Sequence, residues 1–189
     1  MHRSLRPIGL IAITALCLSM SSTLAPDFAR ADEDDEALEY GRPGAYAMLH
    51  VMGGIDVDRR RGETNLAGGA GYNLRLGSRE SERLAWELEF EQFISDGAND
   101  QAFTYGINGK FYFMEEAIQP YIVLGANGHT RLREGEKRRT DWGFRMGGGV
   151  DFYLTKKWAL NMEHTYVAAV GDLLRQEYAS FALGVLYRF

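Results

Sequence analysis

The last stretch of the chain, Tyr178–Phe189, alternates regularly between large apolar side chains and small or polar ones. Counted back from the end, the large set contains Phe189, Tyr187, Val185, Leu183 and Phe181. Successive side chains of a β-strand point to opposite faces, so a period of two predicts a strand with one apolar face. Strands of soluble sandwiches also alternate, so the fold depends on whether matching strands occur elsewhere.

The same alternation recurs along the chain and predicts eight strands. It is clearest between residues 84 and 91, where leucine, tryptophan and phenylalanine alternate with alanine and glutamate. A helix of this composition would scatter its apolar residues around the axis. The predicted strands are Ala45–Val57, Thr64–Leu76, Leu84–Glu91, Phe103–Phe113, Gln119–Leu132, Trp142–Leu154, Trp158–Tyr166 and Tyr178–Phe189. Their lengths are near or above the ~9–11 residues with which a tilted strand crosses a bilayer.

The connections between these strands differ in length and charge. An even number of strands places the second, fourth and sixth connections at the same end as both termini of the barrel. These include the compact turns Gly77–Glu82, Met114–Ile118 and Thr155–Lys157. The opposite end includes the charged loops Asp58–Glu63 and Arg133–Arg139. Short turns at one end and longer loops at the other are typical of outer-membrane barrels.

The beginning of the chain has the layout of an export signal. A short basic region is followed by the apolar run Ile8–Met20 and by a stretch that ends in Ala29-Arg30-Ala31. This order predicts a signal peptide over residues 1–31. The alternative is an uncleaved anchor, but a run of 13 residues is shorter than the ~20 that a spanning helix needs. Residues 32–44 would then be an acidic periplasmic lead-in, and residues 45–189 the barrel.

Composition excludes several classes of function. The single cysteine, Cys17, allows neither a disulfide framework nor a thiol metal site. Removal of residues 1–31 leaves 18 basic and 25 acidic residues, a formal charge of −7. An acidic exported protein is a poor candidate for binding nucleic acid. We therefore predict no nucleic-acid partner, no cofactor and no metal.

The distribution of bulky residues favours a membrane barrel over a soluble one. The apolar faces of the predicted strands carry all three tryptophans and most of the phenylalanines, whereas the opposite faces carry many glycines, alanines and asparagines with scattered charges. Eight strands enclose a space only wide enough for side chains, so inward aromatics would overfill it. We predict an all-β fold, an eight-stranded antiparallel transmembrane β-barrel. The alternative is a secreted barrel of the lipocalin type.

Over Ala45–Phe189 the sequence resembles the OmpA/OmpX-type eight-stranded outer-membrane proteins, the porin-like family that includes opacity proteins. The resemblance rests on the glycine-rich strands, the strand and turn layout, and the terminal Leu186-Tyr187-Arg188-Phe189. It implies a Gram-negative outer membrane, outer-membrane lipid and lipopolysaccharide as neighbours, and insertion by the barrel-assembly machinery. Phe189 would be the insertion signal. We expect the chain to be the barrel alone, without a peptidoglycan-binding domain.

The inward faces predict a network of ion pairs in the lumen. Its members would be Arg75, Glu87, Glu89, Glu91, Lys110, Arg145, Asp151 and Glu163, with Arg131 and Arg188 on the same faces. Charges in a narrow lumen must be paired, because unpaired buried ions are costly. The acidic third strand lies between strands that carry Arg75 and Lys110, so cross-strand pairs are expected. The network would plug the lumen; the alternative is a small gated pore.

Two basic clusters fall on the predicted outer loops. They are Arg59, Arg60 and Arg61 in the loop after the first strand, and Lys137, Arg138 and Arg139 in the loop after the fifth strand. Charge runs are often only solvated, but arginine pairs with phosphate in bidentate fashion. These clusters predict contact with lipopolysaccharide, or adhesion to a host or surface ligand.

One stretch raises the alternative of an enzyme. His164, with Glu177 further on, looks slightly like the eight-stranded lipid A deacylases, in which a lipid-facing histidine precedes a nucleophilic serine by two positions. Here that position is Tyr166, and Thr165 belongs to the opposite face. Without a serine hydroxyl beside the histidine the triad cannot form. We therefore predict no enzymatic activity and an interfacial or packed role for His164.

Overall fold

The computed structural model describes residues 40–56, 68–95, 100–133, 139–170 and 177–189. The described residues form eight strands: β1 Gly44–Asp56, β2 Gly68–Arg79, β3 Leu84–Ser95, β4 Asp100–Tyr112, β5 Ile118–Arg133, β6 Arg139–Tyr153, β7 Trp158–Val170 and β8 Tyr178–Arg188. Within this part of the chain, no helix has the length and apolar character needed to cross a membrane.

The eight strands form one closed antiparallel barrel. Each strand pairs with the next in the sequence, and β8 pairs with β1 to complete the ring. The closing register runs from Tyr46 opposite Arg188 to Asp56 opposite Tyr178. Closure satisfies the edge hydrogen-bonding groups that an open sheet would expose. The predicted all-β, eight-stranded antiparallel fold is confirmed.

Three short turns lie at one end of the barrel, called here the turn end. They span residues 80–83, 113–117 and 154–157. Side-chain hydroxyls help to close two of them: Leu84 N donates to Ser81 Oγ at 3.2 Å, and Trp158 N donates to Thr155 Oγ1 at 3.0 Å. The connections at the opposite end, the loop end, comprise 57–67, 96–99, 134–138 and 171–176, and they lie outside the described residues.

Some predicted strand ends were wrong. β2 continues to Arg79 instead of ending at Leu76, because residues 77–79 keep their pairing with β1. The ring of Tyr46 lies over Gly77, where a Cβ would come within 2.2 Å of that ring. Ser95 and Asp100 pair with each other instead of belonging to a loop. Arg139 begins β6 opposite Arg131, because the β5–β6 ladder extends further than the charge pattern indicated.

The two faces of the barrel wall have opposite chemistry. Large apolar side chains point outward and are exposed, among them Leu88 at 61%, Leu124 at 60% and Trp142 at 75%. Charged and amide side chains point inward and are buried. A secreted lipocalin-type barrel would have the reverse arrangement, so that alternative is wrong. The outward apolar face is suited to lipid.

Aromatic rings mark the outer surface at the turn end. Trp158 lies 4.7 Å from Tyr187 between ring centroids, and Tyr187 lies 5.4 Å from Phe189. On the other side of the barrel, Phe111 and Phe113 make an edge contact at 5.7 Å. Aromatic girdles of this kind occur where a transmembrane barrel meets the membrane–water interface.

Candidate functional site in the barrel interior

All eight residues of the sequence-predicted network lie inside the barrel. They occupy alternate positions on β2, β3, β4, β6 and β7, which is why a single face of each strand brings them together. None of them is more than 6% exposed. They are Arg75, Glu87, Glu89, Glu91, Lys110, Arg145, Asp151 and Glu163.

Arg75 is the most connected cation of this network. Its Nη1 and Nη2 atoms donate to the two oxygens of Glu163 at 2.7 and 2.6 Å. The same guanidinium lies 3.2 Å from Glu87 and 3.4 Å from Glu89. A bidentate arginine–carboxylate pair fixes orientation as well as charge. Arg75 therefore joins β2 to β7 across the lumen and to the neighbouring strand β3.

Arg145 forms the second centre of the network, closer to the loop end. Its Nη2 lies 2.6 Å from Glu89 Oε1 and 2.6 Å from Glu91 Oε2. Its Nη1 donates to Thr165 Oγ1 at 3.1 Å. Because Glu89 contacts both Arg145 and Arg75, the two centres form one continuous chain of charges.

Lys110 and Asp151 lie between Arg75 and the turn end. The Lys110 ammonium is 2.8 Å from Glu87 Oε1 and 4.2 Å from the centre of the Tyr121 ring. Asp151 accepts hydrogen bonds from the Tyr112 hydroxyl at 3.0 Å and from the Asn161 amide. Among the described residues, no basic side chain lies within 4.0 Å of the Asp151 carboxylate. Neutral donors hold this carboxylate, as they can in a buried network.

Tyrosine hydroxyls complete the coordination of the carboxylates. Tyr46 donates to Glu87 at 2.8 Å, Tyr121 donates to Glu163 at 2.8 Å, and Tyr178 donates to Glu91. The sequence analysis gave these tyrosines no role. A signal for this role was available in the sequence, because tyrosines and acidic residues share the inward faces of the strands. The hydroxyl of a buried tyrosine needs a hydrogen-bond acceptor, which a carboxylate provides.

Arg79 is a network residue that the sequence analysis missed, because the residue was assigned to a turn. Its side chain is buried at the turn end, where the guanidinium lies 4.0 Å from the centre of the Tyr112 ring. It donates to Gln119 Oε1 at 2.6 Å and to the backbone carbonyl of Ser81 at 3.2 Å. Arg79 thereby ties the β2–β3 turn to β5.

The buried charges balance in number. Among the described residues, the buried acidic side chains are Glu87, Glu89, Glu91, Asp151 and Glu163, and the buried arginines and lysine are Arg75, Arg79, Lys110, Arg145 and Arg188. Arg79 and Arg188 end β2 and β8, at the turn end. Three of these cations, Arg75, Lys110 and Arg145, form the ion pairs with Glu87, Glu89, Glu91 and Glu163.

The other sequence-predicted sites are described only in part. Arg59, Arg60, Arg61, Lys137 and Arg138 lie outside the described residues, as do the side chains of Arg131 and Arg139. At the opposite end of the barrel, Phe189 N donates to Ala45 O at 3.1 Å, and the Phe189 side chain is 65% exposed. Its role as an insertion signal stays a prediction.

The residues of the enzyme alternative are divided between the two faces. Thr165 is buried in the lumen, where its hydroxyl lies 2.9 Å from that of Ser180. His164 is exposed on the outer face, and Tyr166 donates to Glu177. The described residues contain no group of three histidine, cysteine or acidic side chains placed to hold a metal.

A family model describes this architecture. The model of the outer membrane protein β-barrel domain matches residues 13–189. The chain belongs to this family. The protein is therefore an outer-membrane β-barrel, and its exposed apolar belt faces lipid. No curated protein matches the sequence.

Solved structures have the same fold. The barrel is similar to neisserial surface protein A, with a TM-score of 0.63 and 13% identity over 77% of this chain and 97% of that one. It is similar to the N-terminal β-barrel domain of Pseudomonas aeruginosa OprF, with a TM-score of 0.57 and 14% identity over 78% and 100%. It is also similar to Yersinia pestis Ail in complex with the heparin analogue sucrose octasulfate, with a TM-score of 0.56 and 15% identity over 78% and 99%.

Proposed function

We propose that this outer-membrane barrel has a structural, envelope-integrity role and that the ion-pair network closes its lumen to ions. The observation that carries the proposal is the chain of contacts from Glu163 through Arg75 and Glu89 to Arg145, which crosses the interior from β7 to β2, β3 and β6. The side chains of Arg75 and Arg145 are each 1% exposed.

The energetics of the pairs support closure. A permeating ion would have to separate buried partners that have little water to replace the lost contacts. Removing one partner of a buried pair typically costs about 3–5 kcal/mol. An eight-stranded barrel also leaves an interior just wide enough for its own side chains. Both arguments favour a filled lumen over a permanent channel.

Single-channel recording in planar bilayers tests this proposal. We expect no current steps from the purified wild-type barrel, with a porin of known conductance as the positive control. We expect steps from a double variant, Arg75→Ala with Arg145→Ala, because it removes both centres of the network. Arg83→Ala is the matched control, since Arg83 pairs with Glu115 at the surface. Reproducible steps from the wild type would favour the alternative, a small gated pore.

We infer a second, surface role for the basic loop clusters. Positive charge is concentrated in the sequence between β1 and β2, at Arg59, Arg60 and Arg61, and from the β5–β6 connection to the first residue of β6, at Lys137, Arg138 and Arg139. Arginine suits phosphate and sulfate groups because its planar fork donates two parallel hydrogen bonds. The complex of Ail with a heparin analogue supports a polyanionic ligand. Lipopolysaccharide phosphates, or a host or surface polyanion, are the proposed partners.

Binding of purified lipopolysaccharide to the barrel in phospholipid nanodiscs tests the surface role. We expect a variant with Arg59, Arg60 and Arg61 all changed to serine to bind more weakly, and the difference to shrink as salt rises. Lys156→Ser with Lys157→Ser is the matched control, because both lysines lie in a turn at the opposite end. Equal binding by the arginine variant and the wild type would contradict this role.

We further propose that the barrel is not an enzyme. Thr165 faces the lumen while His164 faces outward, so the two side chains do not share a face. The Tyr166 hydroxyl is bonded to Glu177. A nucleophile needs a base within hydrogen-bond reach, and these contacts support no such pair at His164.

A further inference from the structure

Two buried arginines at the turn end of the lumen take no part in the ion-pair network. Arg79 and Arg188 are 2% and 1% exposed. Within the described part of the chain, neither guanidinium lies within 4.0 Å of a carboxylate, whereas the cationic groups of Arg75, Lys110 and Arg145 all do. A buried arginine without an opposite charge is costly, so two of them in one place favour the binding of an anion.

Arg188 has unused hydrogen-bond donors. It is the last residue of β8, and its backbone N donates to Lys157 O of the β6–β7 turn at 2.8 Å. Its Nη2 donates to the Tyr153 hydroxyl at 2.7 Å, but its Nε and Nη1 atoms are buried and have no hydrogen-bond partner. A guanidinium only donates, so a ligand that meets these atoms must be an acceptor.

The surrounding cations add to the positive charge at Arg188. Arg79, the last residue of β2, is separated from β8 by one strand, β1. Its guanidinium donates to neutral groups, which are Gln119 Oε1 at 2.6 Å and two backbone carbonyls of the β2–β3 turn. Arg42 is exposed just before β1, and the charges of Arg79 and Arg42 both act on Arg188.

The nearby carboxylates of Glu115 and Asp151 have other partners. Glu115 pairs with Arg83 at the surface, at 3.2 Å. Asp151 lies deeper in the lumen, where it accepts a hydrogen bond from the Tyr112 hydroxyl at 3.0 Å. The turn end of the lumen therefore has a local excess of positive charge.

Residues 40–42 lie across this end of the barrel. The Tyr40 ring packs against that of Tyr153 on β6, with 5.5 Å between centroids, and Gly41 is buried. A Cβ added at Gly41 would lie 3.6 Å from Arg79 Nη2 on β2. The segment thus reaches from β6 to β2, and β8 with Arg188 lies between these two strands in the ring.

A glycine joins this segment to the barrel wall. Gly44 begins β1 with a φ of 152°, which residues with a side chain rarely adopt. A Cβ added there would meet nothing within 4 Å. The segment is therefore attached through a residue that has wide backbone freedom and no side chain to pack.

We propose that the turn end of the lumen binds a phosphate group between Arg79, Arg188 and Arg42, and that residues 40–43 turn about Gly44 to admit it. Three arginines without acidic partners favour a multiply charged oxyanion over a single carboxylate, and the planar guanidinium suits phosphate oxygens. The short turns of outer-membrane barrels lie on the periplasmic side. The phosphate therefore comes from a periplasmic solute or from a headgroup of the inner lipid leaflet.

Titration calorimetry with inorganic phosphate tests the site. The wild-type barrel is held at constant ionic strength in dodecyl maltoside, a detergent without phosphate. We expect saturable binding by the wild type and about tenfold weaker binding by Arg188→Gln, because that variant loses a charge-assisted hydrogen bond. Arg83→Gln is the matched control, since Arg83 lies at the same end but is already paired with Glu115. It should bind phosphate as the wild type does.

Further variants keep the test open if Arg188→Gln does not fold. Arg42→Gln changes an exposed residue and should also weaken binding. Phosphate should raise the unfolding temperature of the wild type and of Arg83→Gln, because a ligand of the folded state stabilises it. Tyr40→Ala removes the ring that holds the segment on Tyr153 and should speed phosphate association in stopped-flow measurements.

Repeating the titration in phospholipid nanodiscs identifies the source of the phosphate. Binding that persists there assigns the site to a free solute, whereas binding that is lost assigns it to lipid headgroups. No saturable binding by the wild type in maltoside would overturn the proposal. So would undiminished binding by Arg188→Gln and Arg42→Gln, or equal weakening by Arg83→Gln, which would indicate attraction by charge alone. An unchanged association rate in Tyr40→Ala would overturn the movement about Gly44.

Discussion

Leu88 and Glu89 are adjacent on β3, yet Leu88 is 61% exposed and Glu89 is 6% exposed. In a water-soluble protein the two values would be reversed. A side chain on the outer face, such as Leu88, needs only to be apolar, because the hydrocarbon of the bilayer makes no hydrogen bonds. The inner face needs particular partners, because each buried charge must meet an opposite charge or a hydrogen-bond donor. The same alternation therefore produces an outer face that tolerates the exchange of one apolar side chain for another and an inner face whose charges require particular partners.

The largest expected effect comes from removing the central cation. Arg75→Leu leaves the carboxylates of Glu163, Glu87 and Glu89 without it, and we expect a loss of about 3–5 kcal/mol in the free energy of unfolding. Urea titration of the barrel in lipid vesicles, read out by the gel mobility of folded and unfolded forms, measures the loss.

A surface pair provides the control for this prediction. Arg83 and Glu115 are 3.2 Å apart, with side chains 61% and 41% exposed. Arg83→Leu should cost at most about 1 kcal/mol, because exposed pairs contribute little. If Arg75→Leu lowered the free energy of unfolding no more than Arg83→Leu, the buried ion pairs of the inner face would be no more important for stability than an exposed pair.

A charge placed on the outer face should have the next largest effect. Leu124 lies on the outward face near the middle of β5, and it is 60% exposed. Leu124→Arg should lower the free energy of unfolding by about 2–4 kcal/mol, as expected for arginine at the bilayer midplane. The same urea titration applies, with Leu124→Ala as the control. A loss no greater than that of Leu124→Ala would argue against lipid around this face.

The smallest expected effect comes from replacing glycine by alanine at two positions on neighbouring strands, one inside the barrel and one on its outer face. A Cβ at Gly184, inside the barrel, would lie 2.2 Å from His50 Cδ2 and 2.5 Å from the Leu49 carbonyl oxygen. A Cβ at Gly53, on the outer face, would have its nearest neighbour at 3.9 Å. We expect Gly184→Ala to cost about 1–3 kcal/mol through overpacking and Gly53→Ala to stay within about 0.5 kcal/mol. Equal losses would mean that the interior can relax as freely as the lipid face.

Much of the fold could be predicted because a strand has a simple period. The eight strands and the direction of each face follow from alternation and from the bulk of the apolar set. Strand ends were less predictable. Gly77–Arg79 contains a glycine, a serine and an arginine, which are typical of turns, but here the Tyr46 ring covers the glycine and Gln119 binds the arginine. Those partners lie 31 and 40 positions away in the sequence.

The candidate site was predictable as a set of residues but not as a set of contacts. The alternation of side chains along each strand identifies Arg75, Arg145 and the acidic side chains as inward-facing. It cannot tell that Glu163, on β7, is the bidentate partner of Arg75 on β2. These strands are not neighbours in the barrel wall, so no cross-strand rule links them.

The sequence by itself determined an all-β barrel with an apolar exterior and a charged interior, because side-chain facing depends only on whether a position is odd or even along a strand. The tertiary structure alone decided which charges meet. Pairing across a lumen depends on the stagger of eight strands around the ring and on the reach of each side chain, as the contacts of Arg75 with β3 and β7 illustrate.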